Sequence, residues 1–145
     1  KLMYLGAALV LKTVDAIRQD AIKPVNQQML LAGDTELTPA PKITKESCRI
    51  DWSNGTKAIY DFVRGLNPYP AAWTEIAMPD GKVLTLKVFE TEKVFATHSH
   101  PSGTILTDYK TALEVAVKDG YVRLLSLQQA GKKRMTAGEF LRGYR

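Results

Sequence analysis

Cysteine occurs once in 145 residues, at Cys48, so the chain cannot close a disulfide on itself. Long apolar runs are also missing. The longest, Leu5 to Leu11, is far short of the ~20 residues a helix needs to cross a bilayer, and no signal-peptide pattern follows it. No glycine-rich loop of the G-x-x-x-x-G-K-[ST] or G-x-G-x-x-G kind is present, which excludes the familiar phosphate cradles. Hydrophobic residues at 45% and charged residues at 24% exclude an unfolded chain. These absences predict a soluble, cytoplasmic protein with no membrane partner.

The net charge is +5, and it is unevenly spread. Residues 1–41 are neutral, with Lys1, Lys12, Arg18 and Lys23 against Asp15, Asp20, Asp34 and Glu36. Residues 42–120 are neutral as well. The excess lies in residues 121–145, where Arg123, Lys132, Lys133, Arg134, Arg142 and Arg145 face Glu139 alone. A local cluster of this kind suits phosphate binding, since each neutralised phosphate releases counterions. A solvated basic tail is the plainer alternative.

Periodicity divides the chain into three parts. Leu2 to Ile17 reads as a helix, with apolar residues at Leu2, Leu5, Leu9 and at Val10, Val14, Ile17. That arc is wide, and no capping residue precedes it. A terminal helix of a preceding domain is therefore expected over residues 1–19. Residues 20–41 lose all periodicity, and Pro24, Pro39 and Pro41 forbid regular helix, which predicts a linker. A second domain is expected over residues 42–145. It opens with a helix capped by Ser53 or Thr56, carrying Ile59, Phe62, Val63 and Leu66 on one face and stopped at Asn67-Pro68-Tyr69-Pro70.

Thereafter the period becomes two. Strands are expected at 72–78, from 83 towards 95, and at 104–107, 112–117 and 121–127, with turns at Pro79-Asp80-Gly81 and Lys118-Asp119-Gly120. Thr136 and Glu139 form a capping box for a last helix, with Met135 placed to staple onto Phe140. The fold class is thus mainly β with flanking helices, a small open barrel of the oligonucleotide-binding kind.

Candidate chemistry is sparse. His98 and His100 form an H-x-H pair without a third ligand at suitable spacing, so an exposed loop is the simpler expectation than a metal site. Ser99 has no carboxylate to complete a triad. Cys48, near Lys45 and Arg49, reads as a plain free thiol. Asp51 and Trp52 read as structural, the acid pairing with Arg49 or favouring the helix start. What remains is Gly131-Lys132-Lys133-Arg134, three cations after a glycine and before a capped helix. Tyr69, Trp73, Tyr121 and Tyr144 are candidate stacking faces, although Trp73 on an alternating strand suits a core or fold-stabilising role.

These pieces resemble one family. Pro41-Lys42-Ile43-Thr44-Lys45-Glu46 running into Arg49-Ile50-Asp51-Trp52-Ser53 is similar to the linker and carboxy-domain entry of the methionyl-tRNA formyltransferases. Arg64-Gly65-Leu66-Asn67-Pro68-Tyr69-Pro70, the stretch Leu124 to Met135, and Phe140-Leu141-Arg142-Gly143 continue the likeness. The resemblance implies a parent enzyme that transfers a formyl group from 10-formyltetrahydrofolate to methionyl initiator tRNA. The catalytic residues and folate pocket would lie in a missing amino-terminal domain, and no position here matches them. This chain would hold no cofactor, no metal and no catalytic residue, and would act as a monomer. Lys132, Lys133, Arg134, Arg142 and Arg145 would bind tRNA phosphates, extended by Lys42 and Lys45 and by Arg64 and Arg123. A formyltransferase acting on a sugar nucleotide or folate, or a stand-alone nucleic-acid-binding module, are the alternatives.

Overall fold

A computed structural model describes residues 1–30, 37–77 and 81–143. The chain separates into two compact units, Lys1–Pro41 and Lys42–Arg145. The first contains helix α1 (Leu2–Arg18) and a short 3-10 turn at Gln27–Leu30. None of the α1 residues is buried, and Leu2 is 83% exposed. Among the described residues no helix is long and apolar enough to cross a membrane.

The second unit opens with a 3-10 turn, Glu46–Cys48, then helix α2 (Thr56–Leu66). Ile59 and Val63 are buried, with Phe62 and Leu66 packed beside them, as the apolar spacing requires. The cap differs from expectation. Gly55 occupies the cap position, and neither Ser53 nor Thr56 caps from within the helix. The carboxylate of Asp119, far along the chain, accepts from the Thr56 backbone N–H at 2.7 Å and from its hydroxyl at 3.2 Å. A Cβ on Gly55 would sit 3.2 Å from that carboxylate, so the missing side chain makes room for the cap. Ser53 instead donates to Asp51, which folds Asp51–Asn54 into a local turn.

Five further strands follow β1 (Ala72–Ala77): β2 (Val83–Phe95), β3 (Ile105–Thr107), β4 (Leu113–Val117), β5 (Gly120–Gln129) and β6 (Met135–Thr136). Met78, Pro79 and Asp80, expected to end β1 and begin its turn, lie outside the described residues. The sheet is antiparallel in the order β1-β2-β5-β4-β3, with β6 added to β5. It is an open half-barrel, closed over by α2 and by α3 (Ala137–Arg142), so the fold is mainly β with flanking helices. β6 is the element that periodicity does not reveal, because two residues carry no period.

Leu86, Leu124, Leu127, Val88, Val117 and Val122 are almost wholly buried along the inner face. Burying each such side chain contributes about 1.5–3 kcal/mol of transfer free energy. β2 bends over its partner through irregularities between Val88 and Thr91, and this lets a 13-residue strand curve around the core. The expected capping box at α3 is present, with Glu139 and Thr136 exchanging hydrogen bonds.

At the β4–β5 hairpin Gly120 has a φ of +152°, and a Cβ there would lie 2.1 Å from the Val94 carbonyl oxygen. Relief requires β2 and β5 to separate. Gly120→Ala is therefore expected to cost about 3 kcal/mol or more, a fall of roughly 10 °C in Tm measured by calorimetry. Asp108 supplies an acid-sensitive turn. Its carboxylate accepts from the backbone N–H groups of Lys110, Ala112 and Thr111 and from the Thr111 hydroxyl, which hold its pKa far below the ordinary 3.8. A depressed pKa adds stability above the unfolded value and loses it as pH falls through the folded one. Asp108→Asn should accordingly flatten the loss of stability below about pH 4 in chemical denaturation, while lowering stability at neutral pH.

Candidate nucleic-acid interface

Across the outer face of the sheet, strand register sets Trp73 of β1 opposite Lys87 of β2, and Lys87 opposite Gln128 of β5. Neighbouring strands lie ~4.8 Å apart, so these side chains form a row about 10 Å long. Each end of the row is tied to a cationic segment. The Trp73 indole N–H donates to the Lys45 carbonyl at 2.6 Å, and the Lys45 ammonium and Arg49 guanidinium lie 5.6 and 5.4 Å from the Trp73 ring centre. At the other end the Gln128 amide donates to the Lys132 carbonyl at 2.7 Å. Gly131, at φ +76°, permits this turn.

Two open grooves meet along this row. The larger, about 730 Å³, runs from Ile43 and Lys45 past Tyr69 and Trp73 to Lys87. The smaller, about 280 Å³, continues from Lys87 and Thr85 to Gln128 and Gly131. No carboxylate lines either one among the described residues. Glu75, also on this face, is held by Arg49 at 2.8 Å.

The expected phosphate-binding cations fall into two groups. Arg123 is half-buried between Glu114 and Glu92, both within 2.9 Å, because the three residues stand opposite one another on β4, β5 and β2. The Glu114 hydrogen bond is the main reason its pKa rises above the ordinary arginine value. Arg134 donates to Ser126 at 2.7 Å and to Glu90 at 2.6 Å, and its guanidinium lies 4.6 Å over the Phe89 ring. Arg64 pairs with Asp61 at 3.1 Å on α2. Lys42, Lys45, Lys132 and Lys133 are exposed and make no ion pair among the described residues. Arg142 is exposed near the Glu139 carboxylate, whose pKa its charge helps to lower after the larger contribution of Thr136. Arg145 and Tyr144 lie outside the described residues.

Lys87 was not among the expected cations, yet it occupies the centre of the row. Its outward direction is legible in the alternation of Thr85 and Lys87 against Leu84, Leu86 and Val88. Which residues flank it is not legible, since cross-strand neighbours depend on register. Trp73 is half-buried on the outer face and outside the core cluster, where it holds the Lys45 segment to the sheet. The basic turn links β5 to β6 as a hairpin, and only then does α3 begin.

The other candidates make contacts that hold the fold. His98 is half-buried, and its Nε2–H points between the carbonyls of Val117 and Gly120, 2.9 and 2.8 Å away. Its Nδ1 accepts from the His100 backbone N–H, and Tyr121 packs on the ring at 4.5 Å. The expected exposed loop is thus pinned to the β4–β5 hairpin at His98. No group of three or more His, Cys, Asp or Glu that could share a metal ion occurs among the described residues. Cys48 is buried and packs as a small apolar side chain. Asp51 binds Ser53 and Asn54 rather than Arg49, and the Ser53 hydrogen bonds keep its pKa low.

The model of the formyl transferase C-terminal domain matches residues 42–145. The chain belongs to that family. Among curated proteins, it is 62% identical to the methionyl-tRNA formyltransferase of Phocaeicola vulgatus over 145 residues, 100% of this chain and 45% of that protein. It is 55% identical to the enzyme of that name from Bacteroides thetaiotaomicron over 146 residues, again 100% of this chain and 45% of the other. The Porphyromonas gingivalis protein of that name is 36% identical over 146 residues, covering 99% of this chain and 45% of its own length. The chain thus spans less than half of these relatives. Among solved structures, HypX from Aquifex aeolicus in complex with tetrahydrofolic acid has a TM-score of 0.56 at 21% identity, covering 91% of this chain and 22% of HypX. A HypX variant has a TM-score of 0.55 at 22% identity, over 94% of this chain and 23% of HypX. The half-barrel with flanking helices is thus a fold that this chain shares with part of HypX.

The division among cations has a direct test. Arg123→Ala leaves Glu92 and Glu114, on the strands either side of β5, without their shared counter-charge, and a cost of about 1 kcal/mol is expected. Lys132→Ala and Lys133→Ala should stay within about 0.5 kcal/mol of the parent in urea unfolding.

Proposed function

We propose that this chain is the C-terminal part of a methionyl-tRNA formyltransferase, and that residues 42–145 hold the initiator tRNA by its phosphates. The longer protein would transfer a formyl group from 10-formyltetrahydrofolate to the amino group of the methionine on that tRNA. The folate substrate and the reacting groups belong to residues beyond this chain, and none of its side chains is assigned to them. The exposed apolar stripe of α1 supports a further domain that would cover it. The contribution here is positioning: holding a bulky substrate in register removes part of the entropic barrier. A monomer in the cytoplasm is part of the same reading.

The observation that carries the proposal is the pair Lys132 and Lys133, exposed on a turn pinned by Gln128 at one end of a groove, with no acidic partner and no carboxylate lining that groove among the described residues. Identity of 62% along the whole chain to a methionyl-tRNA formyltransferase supports the choice of substrate. Lys42, Lys45 and Lys87 extend the footprint along the row, with Arg142 and Arg145 near it in sequence. Arg64, Arg123 and Arg134 act mainly as structural ion pairs that shape this surface. A related formyltransferase acting on a sugar nucleotide or folate is the second reading, and there the basic turn would be a corner of the fold alone.

Titration of tRNA with the 145-residue chain over a range of salt separates these readings. About four neutralised phosphates give a slope of log affinity against log salt of about −3 to −4. Lys132→Ala combined with Lys133→Ala should flatten that slope by about 2. A slope unchanged by the double substitution would remove the basic turn from the interface.

A further inference from the structure

Tyr69 has no place in a purely electrostatic account of this surface. Its ring is 86% exposed and makes no hydrogen bond, ion pair or ring contact among the described residues. Its backbone is held in place. Pro68 and Pro70 flank it, and the next backbone N–H, that of Ala71, donates to Leu66 at the end of α2 at 3.0 Å. An outward aromatic on a held backbone has only two side-chain torsions to fix when a ligand covers it. It borders the 730 Å³ groove, which Trp73, Lys45 and Lys87 also line.

We propose that this groove takes an unpaired nucleotide of an RNA strand, its base stacked against Tyr69 beside Trp73 and its adjoining phosphates on Lys45 and Lys87. Charge complementarity argues for this occupant over an apolar peptide. Two ammonium groups with no acidic partner among the described residues border an aromatic surface, and Arg49 already neutralises the one carboxylate of β1, Glu75. Base stacking combined with backbone cations is the usual chemistry of single-strand recognition. Duplex RNA keeps its bases inside the helix and offers nothing to Tyr69. The continuation of the groove to Lys132 puts this subsite on the same path as the phosphate-binding turn. The inference rests on the reading that the 42–145 unit binds RNA, and adds that the unit distinguishes a splayed nucleotide from paired ones.

The test uses the 145-residue chain, a short single-stranded RNA, a duplex of the same length, and tRNA. Trp73 and Trp52 are the only tryptophans, and Trp52 is occupied in a hydrogen bond to Thr74 at 2.9 Å, so fluorescence in a Trp52→Phe background reports on the groove. The single strand should quench Trp73 and the duplex should not. Tyr69→Ala should weaken single-strand binding at least about fivefold, and Tyr69→Phe should restore it, with the salt slope unchanged. If the chain binds tRNA through Lys132 and Lys133 while Tyr69→Ala changes nothing and single strand and duplex quench alike, the stacking subsite is overturned and the phosphate reading stands. If no RNA binds at all, both fall together.

Discussion

Strand β2 is hydrogen-bonded on both sides, to β1 along one edge and to β5 along the other, and its register decides the character of both faces of the sheet. Because side chains alternate along a strand, a shift of one residue would exchange Leu86 and Val88 for Lys87 in the core. Burial of those apolar side chains makes such a shift prohibitively costly, and it fixes the outer row at the same time. Trp73, Lys87 and Gln128 are neighbours because the inner residues between them must pack.

The same register separates structural from available charge. Arg123 and Arg134 belong to the same basic segment as Lys132 and Lys133, yet their surroundings differ. Pairing across the sheet puts Glu92 and Glu114 beside Arg123, and Glu90 beside Arg134. The lysines project from a hairpin turn that no acid faces among the described residues. Of the local excess of +5 in the sequence, Lys132 and Lys133 make no ion pair among the described residues.

Long-range contacts also complete elements that look incomplete locally. Helix α2 begins at a glycine and borrows its cap from Asp119 in the β4–β5 turn. His98 closes the far side of the same hairpin through two backbone carbonyls. Gly120 lets β2 and β5 approach there, so a few residues in one turn tie together the helix, the loop and two strands.

Composition and periodicity were sufficient for the helices, for most strands, for the α3 capping box and for the inner face of β2. Those features depend on neighbours three, four or two positions away in the chain. Family membership was legible for a similar reason, since short stretches such as Asn67-Pro68-Tyr69-Pro70 keep their residues at fixed spacing. The Asp119 cap, strand β6, the pairing of Arg123 and the central place of Lys87 came only with the tertiary structure. Apart from β6, which closes a hairpin with β5, each joins residues distant in sequence. Local propensity bears on none of them, because closure of the sheet around its core determines which strands become neighbours and at what register.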